Sequence, residues 1–308
     1  MLSKLKNAVI LIGASSWDIL ASPDSNLIPK KDCTGTIIQR PGGVILNVAN
    51  HLIKKEGLAE NLFLFSAVGS DLEGKKIIKN AKSNGLPVEN IITDRGCSDK
   101  FLVIEREDGT LHSAISDFKC IARAENKIIQ SLLKSSSVFN SKINKTIVLD
   151  GNLSETAILQ IFKNRSCSMT DFNFVSASSV KSEKLLKIIY SAKIHKIKLC
   201  MYLNFSEAES IVNKPLDSVT DAAKFLILCG LSQVVITNGS QEACSAERHD
   251  TGLKIYKHKP NKLIITSSLG AGDIFAAEHI YSKVINTNYD EHKRLSAAVS
   301  AADKYLSS

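Results

Sequence analysis

The chain has 308 residues, 44% hydrophobic and 23% charged, an ordinary globular composition long enough to bury a sizeable core in one large domain or two small ones. The net charge of +8 comes from 39 basic and 31 acidic residues. The lysines are spread along helical faces, as at Lys75, Lys76, Lys79 and Lys82, so no nucleic-acid partner is expected and the excess reads as a solvated surface or a preference for an anionic ligand.

No run of 18 apolar residues exists, so no membrane span is expected. Seven cysteines without C-x-x-C or other metal spacing suit free thiols in a reducing, cytoplasmic compartment. The seven histidines form no metal-ligand spacing, and His279 reads as packing or surface. Lys4 and Lys6 before the apolar run Ala8–Ile12 faintly imitate a signal peptide. The run is short and no A-x-A site follows, so a buried first strand is expected instead.

Asp18 comes near the end of that strand, where sheet ligands bind, or else it is a loop or cap carboxylate. Thr34–Gln39 is strand-like. Pro41-Gly42-Gly43 then turns into an amphipathic helix over Val44–Lys55. The two glycines permit close approach of a hydroxylated ligand, and Asn47 offers a donor and an acceptor; the other reading is a tight turn with a solvated Asn. A strand over Leu62–Ser66 precedes a helix over Gly74–Asn84, which Gly85 terminates. Phe101–Glu105 and Thr110–Ile115, joined through Glu107-Asp108-Gly109, read as a hairpin. With Thr34–Gln39 they make a small β-sheet outside the main one, a lid within about residues 14–42 and 97–118.

Further strands are expected at Thr146–Asp150, Phe172–Val175, Leu199–Leu203 and Val234–Thr237. They are continuously apolar rather than alternating, as for strands buried on both faces. Asn204-Phe205-Ser206-Glu207 supplies oxygen ligands that suit Mg²⁺ through water, or a helix cap. Thr237-Asn238-Gly239-Ser240 is either a source of amides for a nucleotide phosphate or a plain turn. Helices over Ala271–Val284 and His292–Tyr305 close the chain. The alternation predicts one α/β domain over 1–308, with a Rossmann-like, mostly parallel central sheet, helices on both faces and the small β-sheet lid.

Gly270-Ala271-Gly272-Asp273 carries the most chemistry. Glycines at a helix start let free amides approach an anion, and the helix dipole adds favourable potential. A carboxylate there makes sense as a general base taking a proton from an attacking hydroxyl, while the amides hold a transferring phosphoryl group. The simpler reading is an acidic residue stabilising its own helix.

In this order, the features resemble the ribokinase-like (PfkB) carbohydrate kinase family over nearly the whole chain. The opening strand with its substrate Asp resembles Ile10–Ile19 with Asp18, and the Gly-Gly signature resembles Pro41–Ala49. Ser66–Gly74 resembles the A-V-G-x-D-x-x-G segment, Asn204…Glu207 the N-x-x-E motif, and Gly270–Asp273 the G-A-G-D anion hole and base. Within the family, Arg40–Ala49, Leu64–Gly74, Ala114–Asp117, Val148–Leu153 and Val175-Ser176-Ala177 are most similar to pseudouridine kinases.

The resemblance implies ATP and Mg²⁺ as cofactors, with a monovalent cation as a further one, and phosphorylation of the ribose 5′-hydroxyl of pseudouridine. It assigns Asp273 as base, the amides of Gly270, Ala271 and Gly272 as anion hole, and Asp18, Gly42, Gly43, Asn47 and Asp117 to the substrate. Asn204, Thr237 and Gly239 go to the nucleotide and Glu207 to Mg²⁺ through water. Apart from the resemblance, lid strands with exposed edges could pair across a homodimer.

Three departures fall on the expected nucleotide side. Leu269 replaces a Thr, Gly239-Ser240-Gln241-Glu242 replaces G-x-x-G, and Glu278 replaces a small residue. They predict weakened ATP use. A different nucleoside or sugar acceptor, or a non-catalytic nucleoside-binding homologue, stays open. A dinucleotide oxidoreductase does not fit, because Gly13-Ala14-Ser15-Ser16 lacks the required glycine spacing.

Overall fold

The computed structural model describes residues 7–28, 30–135, 143–163, 170–261 and 269–307; Lys4, Lys6 and Cys167 lie outside them. Among the described residues, nine strands form a sheet in the order β13-β12-β11-β10-β9-β8-β1-β4-β5. These are β1 (Asn7–Ile12), β4 (Leu62–Gly69), β5 (Ile91–Asp94), β8 (Asn144–Asp150), β9 (Thr170–Val175), β10 (Leu199–Asn204), β11 (Gln233–Thr237), β12 (Ala243–His249) and β13 (Gly252–His258). The seven strands from β11 to β5 are parallel, and β12 and β13 add on antiparallel.

The continuous apolar runs are explained by two cores. Ile10 and Ile12 of β1 point into one hydrophobic cluster and Val9 and Leu11 into the other, the period-2 alternation of a strand covered on both faces. The second cluster is closed by α1 (Val44–Leu52), α2 (Leu72–Ser83), α8 (Ala271–Val284) and α9 (Glu291–Leu306). The first is closed by α3 (Lys119–Lys134), α4 (Glu155–Lys163), α5 (Leu185–Ile194), α6 (Phe205–Val212) and α7 (Val219–Cys229). The architecture is therefore α/β with a mostly parallel sheet, as expected. Among the described residues, no helix is long and apolar enough to cross a membrane.

A separate four-stranded sheet runs β3-β2-β6-β7, from β2 (Ser16–Pro23), β3 (Gly35–Gly42), β6 (Asp99–Glu105) and β7 (Leu111–Asp117). The hairpin read at Asp108-Gly109 joins β6 to β7, with Gly109 at φ +75°. The first strand ends at Ile12, as expected, and the chain crosses to the small sheet at Ser16, so Asp18 belongs to β2 and not to the end of the first strand. The crossing runs tight against the larger sheet, because any Cβ on Gly13 would strike the Asp150 carboxylate.

Candidate active site

The C-terminal ends of β9, β10 and β11 and the start of α8 enclose a cleft of about 90 Å³. It is lined by Val175, Ser176, Asn204, Glu207, Thr237, Gly272 and Asp273, among others. This is the end of a parallel sheet where loops and helix N-termini converge and ligands bind. Gly270 caps α8 in the left-handed region, φ +91°, where a Cβ would meet the Tyr305 hydroxyl at 3.0 Å. Its carbonyl accepts from the amides of Asp273 and Ile274. Among the described residues, the amides of Gly270, Ala271 and Gly272 donate no hydrogen bond, and space beside Gly272 is open. Three free donors at the positive end of a 14-residue helix suit an anion.

Asp273 is held at the mouth of that site. Asn47, one turn into α1, donates from Nδ2 to Asp273 Oδ2 at 2.8 Å across 226 residues of sequence. Removal from water pushes the Asp273 pKa up to about 7 against the pull of that bond, and the carboxylates of Asp18, Asp150 and Glu207 add to the rise. A partly buried carboxylate titrating near neutrality is poised to take a proton.

Asp18 sits in the middle of the small sheet, not at a strand end of the large one. It is 3% exposed, and burial raises its pKa although Ser16, Arg40 and the Gly43 amide pull it back. Ser16 Oγ donates to it at 2.6 Å. The Gly-Gly pair serves the protein before any ligand. A side chain on Gly42 would run into the Asp18 carboxylate. Gly43 has φ +97°, and a Cβ there would approach the Ala14 carbonyl at 2.6 Å.

Asn204 and Glu207 form a complete capping box on α6. Glu207 N donates to Asn204 Oδ1 at 2.9 Å, and Glu207 Oε2 accepts from Asn204 N at 2.8 Å. Both also line the cleft, so the cap presents a carboxylate and an amide oxygen to it. Burial raises the Glu207 pKa, opposed by bonds from Asn204 and Ser176. Thr237 ends β11 in the cleft wall, while Gly239, φ +54°, stands one turn beyond it.

Several expected placements change. Asp117 does not reach the cleft. The ladder pairs Asp18 with Phe101 and Phe101 with Ser116, so Ser116 shares the face of Asp18 and Asp117 lies on the opposite one. Its exposed carboxylate pairs with Lys119 at 3.2 Å. Glu278 is not on the nucleotide side either. It lies between α8 and α1, bonded to His51 Nε2 at 2.7 Å and to Lys55. Glu242 is answered by Lys257 at 2.9 Å. His279 is fully buried and hydrogen-bonded to Tyr202 and Glu291.

Some participants were not read from the sequence. Asp150 closes β8, accepts from the amides of Ala14 and Asn152, and raises the Asp273 pKa. A carboxylate at the C-terminal end of a central strand was its available signal. Tyr305 donates to the Leu269 carbonyl at 3.0 Å and meets Arg40 Nη2 at 3.4 Å, linking the anion-hole turn to β3. Nothing local in the sequence marks it.

The site thus sets a carboxylate beside free helix amides, and the sequence model of the pfkB family carbohydrate kinases matches residues 8–303. The chain belongs to this family. It is a phosphotransferase of pfkB type. A pseudouridine kinase of Escherichia coli K12 is 26% identical over 278 residues, 88% of this chain and 82% of its own. An uncharacterised sugar kinase of the same organism, YeiI, is 23% identical over 303 residues, covering 96% and 77%. A probable sugar kinase of Rhizobium etli superposes with a TM-score of 0.77 at 14% identity, covering 99% of this chain and 94% of that one. The pfkB fold therefore extends across the whole described chain.

Proposed function

We propose that this kinase phosphorylates the 5′-hydroxyl of a nucleoside, with pseudouridine as the acceptor. The observation that carries the reading is the Asp273–Asn47 pair set beside three free amides. The similarity to a pseudouridine kinase supports the acceptor.

The residues present suit the cofactors of a kinase. Open amides at Gly270, Ala271 and Gly272 suit phosphate oxygens. The oxygens of Asn204 and Glu207 suit a hydrated Mg²⁺, which takes oxygen ligands and keeps much of its water. ATP with Mg²⁺ supplies the phosphoryl group and its counter-charge. Asp273 takes the proton from the acceptor hydroxyl, and Asn47 holds the carboxylate oxygen that does so. The amides neutralise charge developing on the transferred group. Asp18, held by Ser16 and given room by Gly42, accepts from ribose hydroxyls. The small sheet closes over the acceptor as a lid and excludes water. Thr237 and the turn at Gly239 border the nucleotide.

The two carboxylate departures do not weigh against activity, because Glu278 and Glu242 have basic partners of their own. A second copy of the chain is proposed to dock on the small sheet, whose outer face exposes Ile37 and Ile115, 68% and 67%.

The test is ATP consumption with pseudouridine, uridine, adenosine and ribose, with the product identified. Pseudouridine is expected to give the highest kcat/KM. Turnover of another acceptor in its place removes the substrate assignment but keeps the kinase. Binding of a nucleoside without binding of ATP removes catalysis itself.

A further inference from the structure

The far end of the sheet holds a second polar cavity, about 470 Å³, within the size range of small-molecule sites. It opens at the N-terminal ends of β1, β8 and β9 and beside the last turn of α8, so the sheet separates it from the catalytic cleft. Lys145, Lys198, Lys283 and Arg294 line it against one carboxylate, Asp171. An adjoining groove of about 350 Å³ shares Asp171, Lys198 and Lys283 and adds Glu247 and Arg248, one charge of each sign.

Of these cations, Lys198 and Lys283 carry positive charge that no ion pair of the described residues answers. Among the described residues, neither Lys198 nor Lys283 has a carboxylate within ion-pair distance, and Lys283 Nζ bonds the neutral Gln233 Oε1 at 2.9 Å. Lys145 is 1% exposed and donates to the Ile143 carbonyl at 3.3 Å, so its charge is fixed in the wall. Arg294 pairs with Glu291, Nη1 to Oε2 at 3.6 Å, and its Nε is buried without an acceptor among the described residues. Asp171 and Glu291 offset two of the four cations, and the carboxyl-terminal end of α8, which also opposes an anion, carries only about half a charge against the remaining two. Concave walls concentrate such a field.

We propose that this cavity is a binding site for a small phosphorylated anion, separate from the catalytic cleft. Charge-assisted bonds from Arg294 and the lysines would hold the phosphoryl group. Neutral polar groups of the wall, such as Asn173 and Thr170, would meet the rest of the molecule.

The test is calorimetric titration of the full-length protein with inorganic phosphate, AMP and ribose 5-phosphate, repeated on Lys198→Glu and Lys283→Gln. Circular dichroism checks that each variant folds. The expected result is saturable binding of at least one probe that weakens tenfold or more in both variants, while KM for ATP stays within about twofold. The probe that binds most tightly tells bare phosphate from a nucleotide or a sugar phosphate. Absence of binding at millimolar concentrations overturns the proposal. So does binding unchanged in both variants, which would place the anion at the amides of Gly270–Gly272.

Discussion

As the proposed base, Asp273 would serve chemistry at the expense of stability, and both effects can be measured. Replacement by Asn is expected to lower kcat by about 10²–10⁴ with little change in acceptor KM, the usual scale for loss of a general base. In the native enzyme the rate should rise with pH through about 7, because the base acts when deprotonated. The sign for stability is opposite. The folded pKa lies above the ordinary carboxylate value, so ionisation disfavours the folded state as pH rises through about 7. The Asn variant should melt with the native protein near pH 4 and above it at pH 8. Equal melting temperatures at both pH values would mean that Asp273 is well solvated.

Tyr305→Phe tests the link to the anion-hole turn. Loss of one hydrogen bond to the Leu269 carbonyl costs about 0.5–1.5 kcal/mol. The expected split is kcat down about tenfold with acceptor KM unchanged. A fall in stability alone would leave Tyr305 structural. The glycine turns at Gly43 and Gly270 were legible as helix starts because that signal is local. Tyr305 was not, since its partner Leu269 is 36 positions away and only the fold brings them together. At Asp117 the reading missed by one residue, and in a strand a one-residue slip changes the face.

Helix α6 shows an element serving two ends. Its capping box satisfies amides at its own start and lines the cleft. Asn204→Ala should destabilise by about 0.5–2 kcal/mol, the usual cost of a lost cap. If the Asn204 oxygen also meets hydrated Mg²⁺, the Mg²⁺ concentration for half-maximal rate should rise. An unchanged Mg²⁺ dependence would confine Asn204 to capping. At this scale the parallel strands were readable because burial on both faces leaves uninterrupted apolar runs, as in Leu62–Gly69. The antiparallel additions β12 and β13 were not read. Gly252–His258 is exposed or half-buried along its length, so no apolar run marks it. Strand β2 was missed for the opposite reason, since residues 8–18 are buried on both sides of the break after Ile12 and show no alternation.

At the scale of the whole molecule, the small sheet has two unlike faces. One carries Asp18. The other carries Ile37, Leu102 and Ile115, with Ile37 and Ile115 exposed. A patch of this kind on a two-fold axis would meet itself. Sedimentation velocity should show a dimer that Ile37→Lys with Ile115→Lys turns into a monomer. A native protein that stays monomeric at high micromolar concentration would remove this assembly. The order of synthesis adds a further consequence of the Asn47–Asp273 bond. The groups proposed to hold the acceptor leave the ribosome first, and the carboxylate that would activate it follows 226 positions later. On the proposed mechanism a nascent chain is expected to stay chemically inert until α8 has been made, and a chain that stops anywhere before α8 is expected to give no partial enzyme.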